Sequence, residues 1–217
     1  MKKIVYMIVL VCVFNLFLVF SSVSSYEHKF EDLDGFEWAE EAIYYFVDNN
    51  RTLTGPPPTK YFPDQSITRA EIVSMMVRLV SKPQSHRECD FKDVSSQEWY
   101  YDFIAQAQQM NIIHGDDEGY FHPDDKLSRQ DAAVMLTNYL KLEGIQAPDN
   151  ASAEYDDAGL IASYALDSVG KLQELNIMVG YANCFEPTQP MNRAEACVAA
   201  YQALKYVQSH SINDRET

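Results

Sequence analysis

Three arginines carry the most informative spacing in this 217-residue chain. Arg69, Arg129 and Arg193 lie 60 and 64 residues apart, each with a polar residue before it (Thr68, Ser128, Asn192) and an acid two places on (Glu71, Asp131, Glu195). Thr68 with Glu71 is a capping-box pattern, in which a short side chain and an acid three residues later satisfy the free N–H groups of a helix start. Asn192 with Glu195 is a close variant, and Ser128 with Asp131 a weaker one because Asp is shorter. Each arginine therefore falls at the first helical position. That place is electrically odd, because a helix N-terminus favours nearby anions by about 0.3–1 kcal/mol and disfavours cations. Two chemistries explain a cation kept there. It can be a structural clamp reaching an acid such as Asp32, Asp93 or Asp157. Alternatively, the guanidinium and free backbone N–H groups converge on an external carboxylate or phosphate. Repetition alone does not separate the two.

The segments around these arginines repeat. Tyr61-Phe62-Pro63, Phe121-His122-Pro123 and Phe185-Glu186-Pro187 open each copy, and Ile67, Leu127 or Met191 stands six residues after the aromatic. Upstream, each copy begins with an aromatic and an acid: Phe30 with Asp32, Phe91 with Asp93, Tyr155 with Asp157. Trp38, Trp99 and Tyr164 come next, followed by Gly55, Gly115 and Gly180. Trp38, Trp99 and Tyr164 are candidate stacking platforms for sugar rings, although their place at the start of an apolar stripe favours core packing. The glycines stand where the first helix stops, which suits a C-terminal cap with positive φ.

Helical periodicity supplies the elements that position these residues. Ala39, Ala42, Ile43, Phe46 and Val47 recur at helical spacing in the first copy. Phe103, Ile104, Ala107 and Met110 do so in the second, and Ala165, Leu166, Val169, Leu172 and Leu175 in the third. Second helices follow, with apolar faces at Ile72, Val73, Met76, Val77 and Val80, at Val134, Met135, Tyr139 and Leu140, and at Cys197, Val198, Tyr201 and Leu204. Each repeat reads as helix, loop, helix. Such a unit cannot bury its apolar face alone, so the copies must pack together. The predicted organisation is all-α: repeats over 30–80, 91–142 and 155–206, linkers rich in Pro, Ser, Asn and Asp over 81–90 and 143–154, and a tail over 207–217.

Composition sets the setting. Met1 to Lys3 is basic, Ile4 to Phe20 is apolar apart from Asn15, and Ser21 to Ser25 is small. This is the pattern of a secretory signal peptide over residues 1–25, with an uncleaved membrane anchor as its alternative. The chain holds 17 basic and 32 acidic residues, a net charge of −15, and loss of Lys2 and Lys3 with the leader makes it −17. Such a chain repels nucleic acid and anionic membrane, which makes a local arginine more informative. Cys89, Cys184 and Cys197 match no zinc or redox spacing, Cys197 reads as a buried hydrophobe, and a Cys89–Cys184 disulfide stays open.

Ile67-Thr68-Arg69-Ala70-Glu71 after an aromatic-x-Pro segment resembles the signature of S-layer homology domains, and Phe30-x-Asp32, Trp38-Ala39, Ala42-Ile43 and Gly55 are similar to the rest of that module. The resemblance covers roughly residues 30–206, with the second and third copies more divergent. It implies a pseudo-threefold helical bundle whose grooves bind a secondary cell-wall polymer, often ending in pyruvylated N-acetylmannosamine, at the surface of a Gram-positive-type bacterium. It also implies that Arg69, Arg129 and Arg193 contact the charged sugar, with Thr68, Ser128 and Asn192 as neighbouring polar contacts. Copy one departs in Pro56-Pro57-Pro58-Thr59, copy two in Ser128 and Gln130, copy three in Tyr164, Asn192 and the loop Tyr181-Ala182-Asn183-Cys184. Arg69 and Arg129 are therefore expected to bind before Arg193. No cofactor, metal or catalytic group is expected, and no membrane contact after leader removal. The scattered histidines and cysteines form no Ser-His-Asp, Cys-His or metal-ligand pattern. A surface scaffold that binds a protein partner through degenerate grooves, and a wall hydrolase with a hidden carboxylate pair, are the competing readings. No cargo domain is expected after the repeats.

Overall fold

The structure, a computed structural model, describes residues 30–49, 59–82, 88–149 and 151–213. The leader, Gly55 and Pro56 to Pro58 lie outside those residues. The chain divides into residues 1–30, of which only Phe30 is described, and residues 31–217. The described part of the second unit is all-α. Six α-helices follow one another: α1 (Glu40–Asp48, led in by a 3₁₀ turn at Glu37–Ala39), α2 (Arg69–Val77), α3 (Tyr101–Gln109), α4 (Arg129–Leu142), α5 (Leu166–Glu174) and α6 (Arg193–Asn213). α6 continues past residue 206, where the periodicity placed the end of the repeat. Among the described residues no helix is long and apolar enough to cross a membrane.

Packing crosses the repeat boundaries. α3 lies on α2, α5 on α4, and α1 on α6, so each first helix covers the second helix of another copy. α4 also packs on α6. At the centre, the segments ahead of α2, α4 and α6 hold one another by backbone hydrogen bonds. Ile67 N–H donates to Met191 C=O at 3.0 Å, Met191 N–H to Leu127 C=O at 2.9 Å, and Leu127 N–H to Ile67 C=O at 3.0 Å. The bonds close a cycle, and the three side chains are at most 1% exposed. Buried backbone groups cannot be left unpaired, so this cycle fixes the register of all three segments together.

The acid that opens each copy has a local task. Asp93 accepts from the Phe121 and His122 N–H groups at 2.9 and 2.7 Å, Asp32 from Tyr61 and Phe62, and Asp157 from Phe185 and Glu186. Phe62, His122 and Glu186 all have φ near +60°, a left-handed conformation that non-glycine residues rarely adopt. The carboxylate spans two successive N–H groups and so holds that turn, through charge-assisted hydrogen bonds. These aspartates are thus committed to their own repeat. Among the described residues they do not clamp the arginines, which removes these three acids from the clamp alternative.

The glycines also differ from expectation. Asn111 and Asn176, with φ of 56° and 54°, end α3 and α5 in the left-handed cap. Ile112 N–H reaches Ala107 C=O and Ile177 N–H reaches Leu172 C=O, at 2.9 Å each, the pairing that satisfies a helix's last carbonyls. Gly115 is needed for close approach instead. A Cβ there would lie 2.6 Å from the Phe91 ring and 2.7 Å from the Tyr120 carbonyl. Gly180 is similarly closed in by the Tyr155 ring, at 2.7 Å from where a Cβ would stand.

Candidate functional site

Each arginine is planted by its helix start and then reaches into a neighbouring copy. Thr68 Oγ1 accepts from Glu71 N–H and Glu71 Oε2 accepts from Thr68 N–H, which completes the capping box of α2. Asn192 and Glu195 form the same reciprocal pair at α6, at 2.8 and 3.0 Å. At α4 the shorter Asp131 instead accepts from Ser128 Oγ at 2.8 Å. Thr68, Ser128 and Asn192 are therefore helix caps. The next N–H groups are satisfied as well. Arg69 and Ala70 donate to Asp125 and Pro123, Arg129 and Gln130 to Gln189 and Pro187, and Arg193 and Ala194 to Gln65 and Pro63. The free N–H groups expected to meet an external anion are thus absent at these three helix starts, because the neighbouring loop uses them.

The guanidinium groups sit over the aromatic rings that precede Pro123, Pro187 and Pro63. Arg69 lies 4.7 Å above the Phe121 ring, Arg129 5.1 Å above Phe185, and Arg193 5.0 Å above Tyr61. Each Nε donates to the carbonyl of that same aromatic residue, at 2.9, 2.7 and 3.1 Å. The aromatics are buried, so they form a floor beneath the arginine. A desolvated stacked pair of this kind contributes about 1–2 kcal/mol.

The outer ends differ. Arg193 is 4% exposed and its Nη1 meets Glu71 Oε1 at 3.3 Å, so it is an internal clamp. Arg69 is part-exposed, with Nη1 3.5 Å from Asp131 Oδ2. Arg129 donates Nη2 to the Val179 carbonyl at 3.2 Å and, among the described residues, pairs with no carboxylate.

Arg69 opens into a cavity of about 670 Å³ lined also by His114, Asp116, His122, Lys126, Asp131 and Tyr164. His122 Nε2 and Asp116 Oδ2 are 2.8 Å apart. That hydrogen bond raises the His122 pKa above its ordinary value, with the Asp116 charge adding to it. Asp116 is held low, first by the Tyr120 N–H and then by His122. Tyr164 donates its hydroxyl to Asp131 Oδ1 at 2.7 Å, and partial burial together with that carboxylate pushes the phenol up to about 12. One groove thus draws Arg69 from the first copy, Asp131 from the second and Tyr164 from the third.

Trp38 and Trp99 are each 54% exposed and Tyr164 59%. The core expectation for these aromatics is overturned. The next residue, Ala39, Tyr100 or Ala165, enters the core in each case, so the apolar stripe starts one place later. Leu166, expected in that stripe, is also exposed, because it lies one helical step past Ala165 and off the face of Val169 and Leu172. Cys89, Cys184 and Cys197 are free thiols, and burial pushes Cys197 up to about 12. No cluster of three or more His, Cys, Asp or Glu suited to a metal occurs among the described residues.

Comparison with known proteins fits this geometry. The S-layer homology domain profile matches residues 90–133 and 154–197. The two matched stretches contain Arg129 and Arg193 with their caps, and Phe185, the floor beneath Arg129. Residues 59–77 were not matched, yet the same backbone bonds tie them into the central cycle. An S-layer protein of Bacillus licheniformis is 28% identical over 179 residues, 82% of this chain and 20% of that protein. S-layer protein EA1 of Bacillus anthracis is 28% identical over 183 residues, again 82% of this chain and 20% of that protein. An endoglucanase of Bacillus sp. (strain KSM-635) is 26% identical over 211 residues, 94% of this chain and 22% of the enzyme. The chain therefore spans about a fifth of the length of these relatives.

Proposed function

We propose that this chain is a non-catalytic cell-surface module that attaches to the wall by gripping an anionic secondary wall polysaccharide in the clefts between its repeats. Three S-layer homology repeats, over 30–80, 91–142 and 155–206 in a pseudo-threefold bundle, account for the cyclic backbone bonds at Ile67, Leu127 and Met191. The observation that carries the reading is an arginine laid on an aromatic floor at the mouth of a cleft and bordered by an exposed ring, as at Arg69 with Phe121 and Tyr164. A cation opposite a carboxylate fixes the sugar's orientation, and an exposed ring accepts its apolar face. A pyruvate ketal places a carboxylate on a sugar and suits that pair. Such pockets also let a strongly acidic chain hold an anionic polymer, because the attraction is local while the repulsion is screened beyond about 10 Å. Arg69 and Arg129 are the binding arginines of this proposal, Trp38 and Trp99 contribute exposed rings, and Arg193 is a clamp. The similarity to both S-layer proteins and a glucanase supports an anchoring role, since unlike proteins share this one segment.

Co-sedimentation with purified bacterial walls tests the proposal. The leaderless protein is expected to pellet with intact walls and to stay in solution with walls stripped of secondary polymer by hydrofluoric acid. Equal pelleting with stripped walls would assign the binding to peptidoglycan or protein.

A further inference from the structure

The Arg69 cleft holds a titratable pair that the other copies cannot build. His122 and Asp116 both line the cavity, with Nε2 and Oδ2 2.8 Å apart. Phe62 and Glu186 occupy the matching left-handed position in the first and third copies, so the turn itself does not call for a histidine. The imidazole is nevertheless held in place. Asp116 is aimed by the Glu118 and Tyr120 N–H groups at 2.9 and 2.8 Å, and the Tyr120 ring stacks on His122 with centroids 5.9 Å apart. Lys92 lies 5.3 Å from the centre of the same tyrosine ring. Asp93, which takes the His122 backbone N–H, and Asp125 add negative charge around the imidazole. Around the cavity two fixed cations, Arg69 and Lys126, face the carboxylates of Asp116, Asp117, Asp125 and Asp131. Protonation of His122 adds a third cation and takes the surplus of acid among these groups from two charges to one.

We propose that His122 is a pH-dependent switch on anion binding in the Arg69 cleft: protonated, it neutralises Asp116 and admits an anionic glycan beside Arg69, and neutral, it leaves that carboxylate to repel one. The proposal rests on the wall-polymer reading and adds regulation to it. Asp116 is held low and keeps its charge through the neutral range, while its contact raises the His122 pKa above the ordinary value of about 6.5. The cleft therefore loses its third cation as pH rises through that raised value. Linkage works in both directions, so an anion favoured by the protonated form must also hold the proton on His122. The imidazole is 48% exposed, and solvent screens its pull to a several-fold effect on binding.

The test is calorimetric titration of the leaderless protein with secondary polymer extracted from Bacillus licheniformis walls, at about pH 5.5 and about pH 8.5, on either side of the histidine range. Native binding is expected to be about threefold or more weaker at the higher pH. His122→Gln is expected to remove most of that difference with the fold kept, since the turn accepts Phe62 and Glu186 in the other copies. His114 also lines the cavity, and His114→Gln is expected to keep the difference. In NMR titrations, saturating polymer is expected to raise the His122 midpoint further, a change that a purely structural ion pair would not show. Equal native affinity at the two pH values would overturn the switch and leave the wall-polymer reading standing. A pH difference that survives in His122→Gln, or a His122 midpoint unmoved by polymer, would overturn the assignment to His122. No native binding at either pH would overturn both readings.

Discussion

At the residue scale, the acid of each aromatic-x-Asp opening does more structural work than its sequence context suggests. Asp93 holds two N–H groups of a left-handed turn, and removal of its carboxylate leaves both without that partner. Asp93→Ala is expected to cost about 2–3 kcal/mol, read as a lower urea midpoint at unchanged slope. His122 gives a second prediction. Its pKa is raised by Asp116, so the pair's contribution to stability is full below the unfolded histidine value of about 6.5 and is lost as pH rises through the folded value. An NMR titration of His122 is expected to show a midpoint above the ordinary histidine value, and Asp116→Asn to bring it down. An unshifted midpoint in the native chain would contradict the 2.8 Å contact.

At the scale of elements, caps and loops decide where helices start and stop. The starts were legible from the sequence, because a capping residue followed by an acid three places on has one geometric meaning, and Thr68, Ser128 and Asn192 all proved to be caps. The stops were not. Gly115 and Gly180 looked like the natural breakers, yet Asn111 and Asn176 turn the chain first. Asparagine tolerates the left-handed region because its short side chain bonds locally, so it competes with glycine for this place. Asn111→Gly is expected to be neutral or stabilising by a few tenths of a kcal/mol, and Asn111→Ala to cost about 1 kcal/mol. Equal stability of the two variants would contradict the cap. The exposed rings were misplaced for a related reason. Trp38 and Trp99 lie one position ahead of the buried stripe, and periodicity does not mark which residue of an apolar pair faces inward.

At the scale of the whole molecule, the repeat pattern showed that copies must pack, but not which helix meets which. Periodicity gives the face of a helix and says nothing of its partner. The pairing of α3 with α2, α5 with α4 and α1 with α6 emerges only in three dimensions, as does the service each loop gives to its neighbour's helix start. A structure closed in this way is expected to unfold as one unit. A fragment ending at residue 154 lacks Met191 and α6, and is expected to show no cooperative thermal transition by circular dichroism. A full transition in that fragment would show that the first two copies fold without the third. Charge belongs to this scale too. With a net charge of −15, the chain can attract an anion only where a guanidinium faces outward.

The reading therefore turns on a carboxylate held by arginine. Titration of the protein with extracted wall polymer, before and after mild acid cleavage of its pyruvate ketals, tests this most directly. Binding that weakens at least tenfold when the carboxylates are removed is the predicted result. Binding of equal strength to the uncharged polymer would show that the arginines serve the fold alone.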